Sequence, residues 1–277
     1  MMALKFMYIT NDEKIAKIAE NNGVEWIFVD LEINGKDERQ GHLDTIISRH
    51  NLHDVRRIKR VLTNSELLVR VNPIYEGSEV EIRNVINAGA DVIMLPFFKT
   101  SEEVQTFIGH VGYRAKTCLL LETAEGVENI DSILDIRGID YIHIGLNDLH
   151  LSYGMKFMFE LLADGTVEFL CNKIRKKGIP YGFGGIARIG GKALPAEYII
   201  AEHYRLGSSM VILSRSFCNS AIDIPIASVM EIFNTGVKEI RDFETLLMSK
   251  PNSYFINNKR SIDEKVSTIV SGISETV

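Results

Sequence analysis

Short apolar runs rich in β-branched residues recur along the chain at 5–9, 26–30, 67–71, 92–96, 118–121, 141–144, 180–183 and 210–213. Between them, apolar residues fall at helical spacing over 12–21, 79–88, 101–109, 127–134, 160–176 and 196–204. Strand-like runs alternating with helical stretches call for a parallel sheet. Eight such units with continuously apolar strands predict a closed α/β structure, a (β/α)8 TIM barrel; an open doubly wound sheet is the alternative. Past the eighth run, 227–248 is amphipathic, with Val229, Ile232, Phe233, Ile240, Phe243 and Leu247 near helical spacing, and Pro251 ends it. Residues 252–277 are polar and weakly periodic, with a short helix expected at 262–269. The expected division is a barrel domain over 1–225 and a C-terminal helical extension with a polar tail over 226–277, which serves assembly.

Composition narrows the classes. In 277 residues, 45% hydrophobic and 25% charged, there is ample material for a large core, which argues against disorder. A net charge of -6, from 31 basic and 37 acidic residues, provides no basic face for a phosphate backbone, so no nucleic-acid partner is expected. The segment HDVRRIKRVL is one charged helix face, with His50 and His53 as surface residues. No apolar run approaches the roughly 18 residues of a membrane span, and the opening residues do not form a signal peptide. A cytoplasmic protein is expected. Cys118, Cys171 and Cys218 lie far apart in apolar surroundings, as reduced, buried thiols do.

Barrel chemistry sits at the C-terminal ends of strands, so the polar residues that end each run are the candidates. Asp30 and Glu32 follow the second run two apart, on one side of an extended chain. Arg70 interrupts LLVRVNP, where it either pairs with Asp30 or Glu32 or binds an anion; both roles are compatible. Glu122 directly follows three leucines, a costly place for a carboxylate, although Thr123 as a helix N-cap offers a harmless alternative. Asn147 and Asp148 follow the sixth run, where Asp148 is either functional or a turn residue. Glu122 and Asp148 together make a hard, all-oxygen pair suited to Mg²⁺ or Mn²⁺. Gly182, Gly184 and Gly185 permit close approach of a ligand to backbone, and His143 reads as a satisfied core histidine.

The segments WIFVDLE, LLVRVNP, GADVIMLPFFKTSEEV, LLLETAEGVENIDSIL, GIDYIHIGLNDLHLSYG and LGSSMVILSRSF, in this order, resemble the HpcH/HpaI aldolase and citrate lyase family from about Trp26 to Phe217. The resemblance implies a (β/α)8 barrel that binds Mg²⁺ or Mn²⁺ and makes or breaks carbon–carbon bonds beside a 2-oxo acid or an acyl-CoA thioester. It implies Glu122 and Asp148 as metal carboxylates and Arg70 as the arginine on the substrate oxygen. Backbone amides around Gly145, Leu146, Asn147 and Asp148 would hold the substrate carboxylate, and Asp30 and Glu32 would orient water and arginine. It also implies a homo-oligomer, trimer or hexamer, assembled through 227–248.

Two positions depart from the family pattern. Ile33 stands where the pyruvate-aldolase branch has a catalytic histidine, and Leu120 where that branch tends to have glutamine. His42, on the same long connection, is then the candidate base, with a metal-bound water as the alternative. The expected function is a metal-dependent carbon–carbon lyase or aldolase acting on a small 2-oxo acid and an aldehyde. An acyl-CoA lyase of the citrate-lyase type and a catalytically reduced barrel acting in binding or assembly stay open.

Overall fold

Eight parallel strands close into a barrel in simple sequential order, β1 pairing with β2 and onward until β8 returns to β1. The computed structural model describes residues 3–33, 50–191, 194–219 and 224–274. The strands are β1 (Lys5–Ile9), β2 (Trp26–Asp30), β3 (Glu66–Arg70), β4 (Val92–Leu95), β5 (Lys116–Leu121), β6 (Tyr141–Ile144), β7 (Tyr181–Ile186) and β8 (Met210–Leu213). All eight expected runs are strands. Their central residues are buried on both faces, as the unbroken apolar runs require. Inward residues Met7, Trp26, Phe28, Leu68, Val92, Met94, Cys118, Leu120 and Met210 fill the barrel, so it has a floor rather than a pore.

The helices among the described residues, numbered in chain order, are α1 (Glu13–Asn21), α2 (Leu52–Val61), α3 (Ser78–Asn87), α4 (Ser101–Val111), α5 (Ala124–Glu128) and α6 (Ile130–Leu134). They continue with α7 (Leu146–Ser152), α8 (Glu160–Ala163), α9 (Thr166–Lys176), α10 (Ala196–Leu206), α11 (Ile226–Met248) and α12 (Asn252–Ser274). Three differ from expectation. The stretch 127–134 is divided at Asn129 between α5 and α6. The stretch 160–176 is broken at Gly165, whose φ of +88° no side-chain-bearing residue adopts cheaply. The polar tail is a 23-residue helix, not a short one. Its periodicity is weak because a narrow stripe, Phe255, Ile262 and Val266, is buried. Polar contacts complete its docking: Asn258 donates to the Tyr198 carbonyl and Glu202, and Lys259 to the Ala163 carbonyl.

Helix α11 is fixed beneath the barrel by a buried carboxylate. Glu244 accepts from the Leu4 amide at 2.8 Å, from the Tyr204 hydroxyl at 3.1 Å and from Arg241 at 2.7 Å. Phe233 packs edge-on against Tyr8 and Phe217.

Glu20 ties α1 to the turn entering β3, accepting from Lys17 and from the amides of Thr63, Asn64 and Ser65 at 2.5–2.9 Å. Burial pulls this carboxyl upward, but the four donors outweigh it and hold it at about 2. A depressed carboxylate adds stability above its unfolded pKa and loses it as pH falls through the folded one. Urea unfolding at pH 7 is expected to show Glu20→Gln less stable by about 1–2 kcal/mol, a gap that closes between about pH 4.5 and 2.

Candidate active site

The C-terminal mouth of the barrel opens into a cavity of about 1180 Å³. On one wall, Asp30 and Arg70 end adjacent strands and are direct register partners. Arg70 Nε and Nη2 each donate to an Asp30 carboxylate oxygen at 2.8 Å, a two-point fork, and Nη1 lies 3.3 Å from Glu32. Both sequence readings of Arg70 therefore begin from a real ion pair. Burial opposes the Arg70 charge, but Asp30 and Glu32 outweigh it and raise its pKa well above the usual range. Asp30 and Glu32 are 1% and 2% exposed, so their charges depend on this guanidinium. The Glu32 amide donates to Asp30, and the Ile33 amide to Asn72, which holds the strand end extended.

Glu122 follows β5 and faces the axis. Thr123 caps α5, accepting from the Gly126 amide and donating to the Phe98 carbonyl, so the harmless capping role belongs to Thr123 while Glu122 is left facing the cavity. Glu122 Oε1 accepts from the Phe97 amide at 3.2 Å, and Phe97 takes a left-handed φ of +54° to present it. A side chain at Gly145 would meet Glu122 Oε2 at 2.8 Å, so glycine there lets the carboxylate lie against the end of β6. Burial, then the nearby charge of Asp148, pushes the Glu122 carboxyl well above the usual range, with Arg70 opposing.

Asp148 lies in the first turn of α7 on the cavity wall, and does not cap that helix. The Gly145 amide is spent on the Leu121 carbonyl at 2.9 Å, a correction to its expected availability. Among the described residues the amides of Leu146 and Asn147 donate to no protein acceptor, and the Leu146 side chain is buried. Of the expected glycine run, Gly184 and Gly185 line the cavity, and two of the three glycines also have a packing role. Gly182 makes room for Met210 and Gly184, at φ +51°, for Leu146.

Asp30, Glu32, Glu122 and Asp148 thus converge with one guanidinium. That excess of buried negative charge fits a hard cation, and two carboxylates leave coordination positions for water and substrate. Among the described residues no cluster of three or more His, Cys, Asp or Glu forms a complete metal cage.

His42 lies outside the described residues, and Ile33 is exposed. His50, read from sequence as a surface residue, lines the cavity, and its Nδ1 accepts the Asp30 amide at 3.0 Å. The neutral ring then carries its proton on Nε2, which makes it a donor. Only the tertiary pairing with β2 reveals this, since nothing in local spacing links His50 to Asp30. His143 donates from Nε2 to the Gly184 carbonyl, while its buried Nδ1 has no partner among the described residues. Burial lowers its pKa to about 4, so it is a neutral and half-satisfied core histidine. Arg215 also lines the cavity, and the rule of polar strand ends, applied to β8, would have found it.

The model of the HpcH/HpaI aldolase/citrate lyase family matches residues 6–161, which carry β1 through β6 and the carboxylates Asp30, Glu122 and Asp148. The chain belongs to this family. Within it, the chain is 27% identical over 174 residues to a hydroxypyruvate/pyruvate aldolase of Roseobacter denitrificans, covering 50% of this chain and 60% of that one. It is 26% identical over 204 residues to a 2-keto-3-deoxy-L-rhamnonate aldolase of Shigella dysenteriae, covering 62% and 71%. The chain therefore spans about 60% of the length of the Roseobacter relative. A crystal structure of an HpcH/HpaI aldolase from Desulfitobacterium hafniense shares the fold, with a TM-score of 0.58 at 16% identity over 90% of this chain and 94% of that one.

Proposed function

We propose that the protein is a metal-dependent carbon–carbon lyase of the aldolase type, acting on a small 2-oxo acid such as pyruvate and an aldehyde. The observation that carries this reading is the convergence of Glu122 and Asp148 with the Asp30–Arg70 pair at one barrel mouth. The aldolase names of the two relatives support it. Mg²⁺ or Mn²⁺ held by Glu122 and Asp148 would supply Lewis-acid polarisation of the 2-oxo acid.

In cleavage, the substrate hydroxyl loses its proton, the carbon–carbon bond breaks, and its electron pair passes to the 2-oxo fragment as an enolate. Arg70, held flat by Asp30, presents fixed donors to the developing enolate oxygen. The amides of Leu146 and Asn147 offer donors to the substrate carboxylate. His50 cannot accept a proton at Nδ1 while it holds the Asp30 amide, so it donates from Nε2 to the oxygen at the aldehyde end. The proton-accepting role then falls to His42 or to water. Exposed Met230, Leu246 and Met248 on α11, with Ile256 and Ile273 on α12, support assembly through this extension; a trimer or hexamer is what the family resemblance implies. The unpaired, buried thiols Cys118, Cys171 and Cys218 support a reducing, cytoplasmic setting.

Exchange of the pyruvate methyl protons with deuterium, followed by NMR with added Mn²⁺ or Mg²⁺, tests the reading. Metal-dependent exchange is expected, and its absence in the wild type would leave a binding protein. Because enolate formation and aldol cleavage share Arg70 but differ at the aldehyde end, the imidazoles are read in cleavage. His42→Ala is expected to lose roughly 10²–10⁴-fold in kcat. His50→Gln, which keeps a donor, should retain more activity than His50→Ala. Equal rates for wild type and both alanine variants would remove both histidines from the chemistry.

A further inference from the structure

Among the described residues the cavity lining holds a second arginine, at the end of β8 across the barrel from Glu122. Arg215 follows β8, lines the cavity and is exposed, and it makes no ion pair or hydrogen bond among the described residues. Arg70 differs, because it is already paired with Asp30 and Glu32. Ser214 and Ser216 flank Arg215 on the same wall. The turn they form is anchored from behind by buried Phe217, which packs on Phe233, and by buried Cys218. The amides of Phe217 and Cys218 close on the Ser214 carbonyl at 2.9 and 3.3 Å, whereas those of Arg215 and Ser216 donate to no acceptor among the described residues. Opposite Ser214 stands Gly185, so no side chain from β7 covers the turn. In the closed order, β8 lies across the barrel from the β4–β5 side that carries Phe97 and Glu122. A three-carbon 2-oxo acid at the carboxylates leaves much of the 1180 Å³ cavity, on the β8 side, for a second molecule.

Resting on the aldolase reading, we infer that Ser214, Arg215 and Ser216 form an oxyanion subsite for the phosphate or carboxylate at the far end of the aldehyde substrate. The donor set consists of one guanidinium, two hydroxyls and two amides with no carboxylate bonded among them, which suits a tetrahedral or planar oxyanion. Barrels commonly hold such groups at the turns after strands seven and eight. The subsite would select aldehydes by charge, while the carbon–carbon chemistry stays on the Glu122 side.

Calorimetry on the full chain, without divalent metal, tests the subsite with glycerol 3-phosphate, 4-hydroxybutyrate and glycerol as non-reacting probes. The expected result is that at least one anionic probe binds about 10–100-fold more tightly than glycerol, and that Arg215→Ala abolishes the difference. The stronger of the two anions identifies the terminal group. Ser214→Ala is expected to weaken the same probe and not glycerol. No preference for either anion, or a preference that survives in Arg215→Ala, overturns the subsite. The kinetic counterpart is the ratio of kcat/KM for glyceraldehyde 3-phosphate or succinic semialdehyde to that for glyceraldehyde, each with pyruvate, which Arg215→Ala should collapse. Should wild-type protein exchange no pyruvate protons, the aldolase reading fails, and the calorimetry still decides the subsite.

Discussion

Glu122→Gln is expected to weaken Mn²⁺ binding by at least about 100-fold and to abolish turnover, with Asp148→Asn behaving alike. Each substitution removes one of the two carboxylates proposed to hold the metal, and an amide oxygen does not replace a full negative charge at a divalent cation. The stability change should have the opposite sign. Without metal, Glu122 is a buried carboxylate pressed against the charge of Asp148, and its neutral isostere relieves that repulsion while keeping the acceptor for the Phe97 amide. Metal-free Glu122→Gln should therefore melt no lower than metal-free wild type. Added Mn²⁺ should raise the wild-type Tm and leave the variant unmoved, as expected for a ligand that binds only the folded wild-type site. Wild-type Mn²⁺ affinity in both variants would remove the metal site, and a Tm well below that of the metal-free wild type would make Glu122 a structural residue.

Arg70 carries the second large effect, and two substitutions separate its two roles. Arg70→Ala leaves Asp30 and Glu32 buried with no cation, a loss expected to cost about 3–5 kcal/mol in urea unfolding. Arg70→Lys restores a charge and part of that stability, but one ammonium cannot keep two parallel bonds to Asp30 and also point a donor at the enolate. The lysine variant is expected to fold and to lose about 10³-fold in kcat with a much smaller change in KM, the pattern of an interaction made in the transition state. A lysine variant with normal kcat per folded molecule would assign Arg70 to structure alone.

The barrel was legible because its evidence is local. Each strand is a short apolar run bounded by polar residues, and the alternation with helical spacing repeats eight times, so errors at single boundaries leave the topology intact. The carboxylates were legible for a related reason. Glu122 after three leucines and Asp30 after four buried residues break apolar runs where burial penalises charge, and such a break is visible without knowing any partner. The 252–277 tail was misread because an exposed helix that buries only a narrow stripe carries little periodicity, and its stability comes from docking on α8 and α10 through Asn258 and Lys259.

By itself the sequence determined the fold class, the family resemblance, and the polar residues at the strand ends that the barrel gathers at its mouth, Glu122, Asp148 and Arg70 among them. The tertiary structure decided which residues are available to act. Barrel closure brings Asp30 and Arg70 into register and makes the salt bridge two-pointed. It spends the Gly145 amide on Leu121 and sets glycines 182 and 184 against Met210 and Leu146. It seats His50 on the Asp30 amide and leaves Arg215 without a partner among the described residues beside the cavity. The physical reason is that hydrogen-bond satisfaction is a property of pairs. Which donor or acceptor remains for a ligand is known only once every neighbour from distant parts of the chain has taken its share.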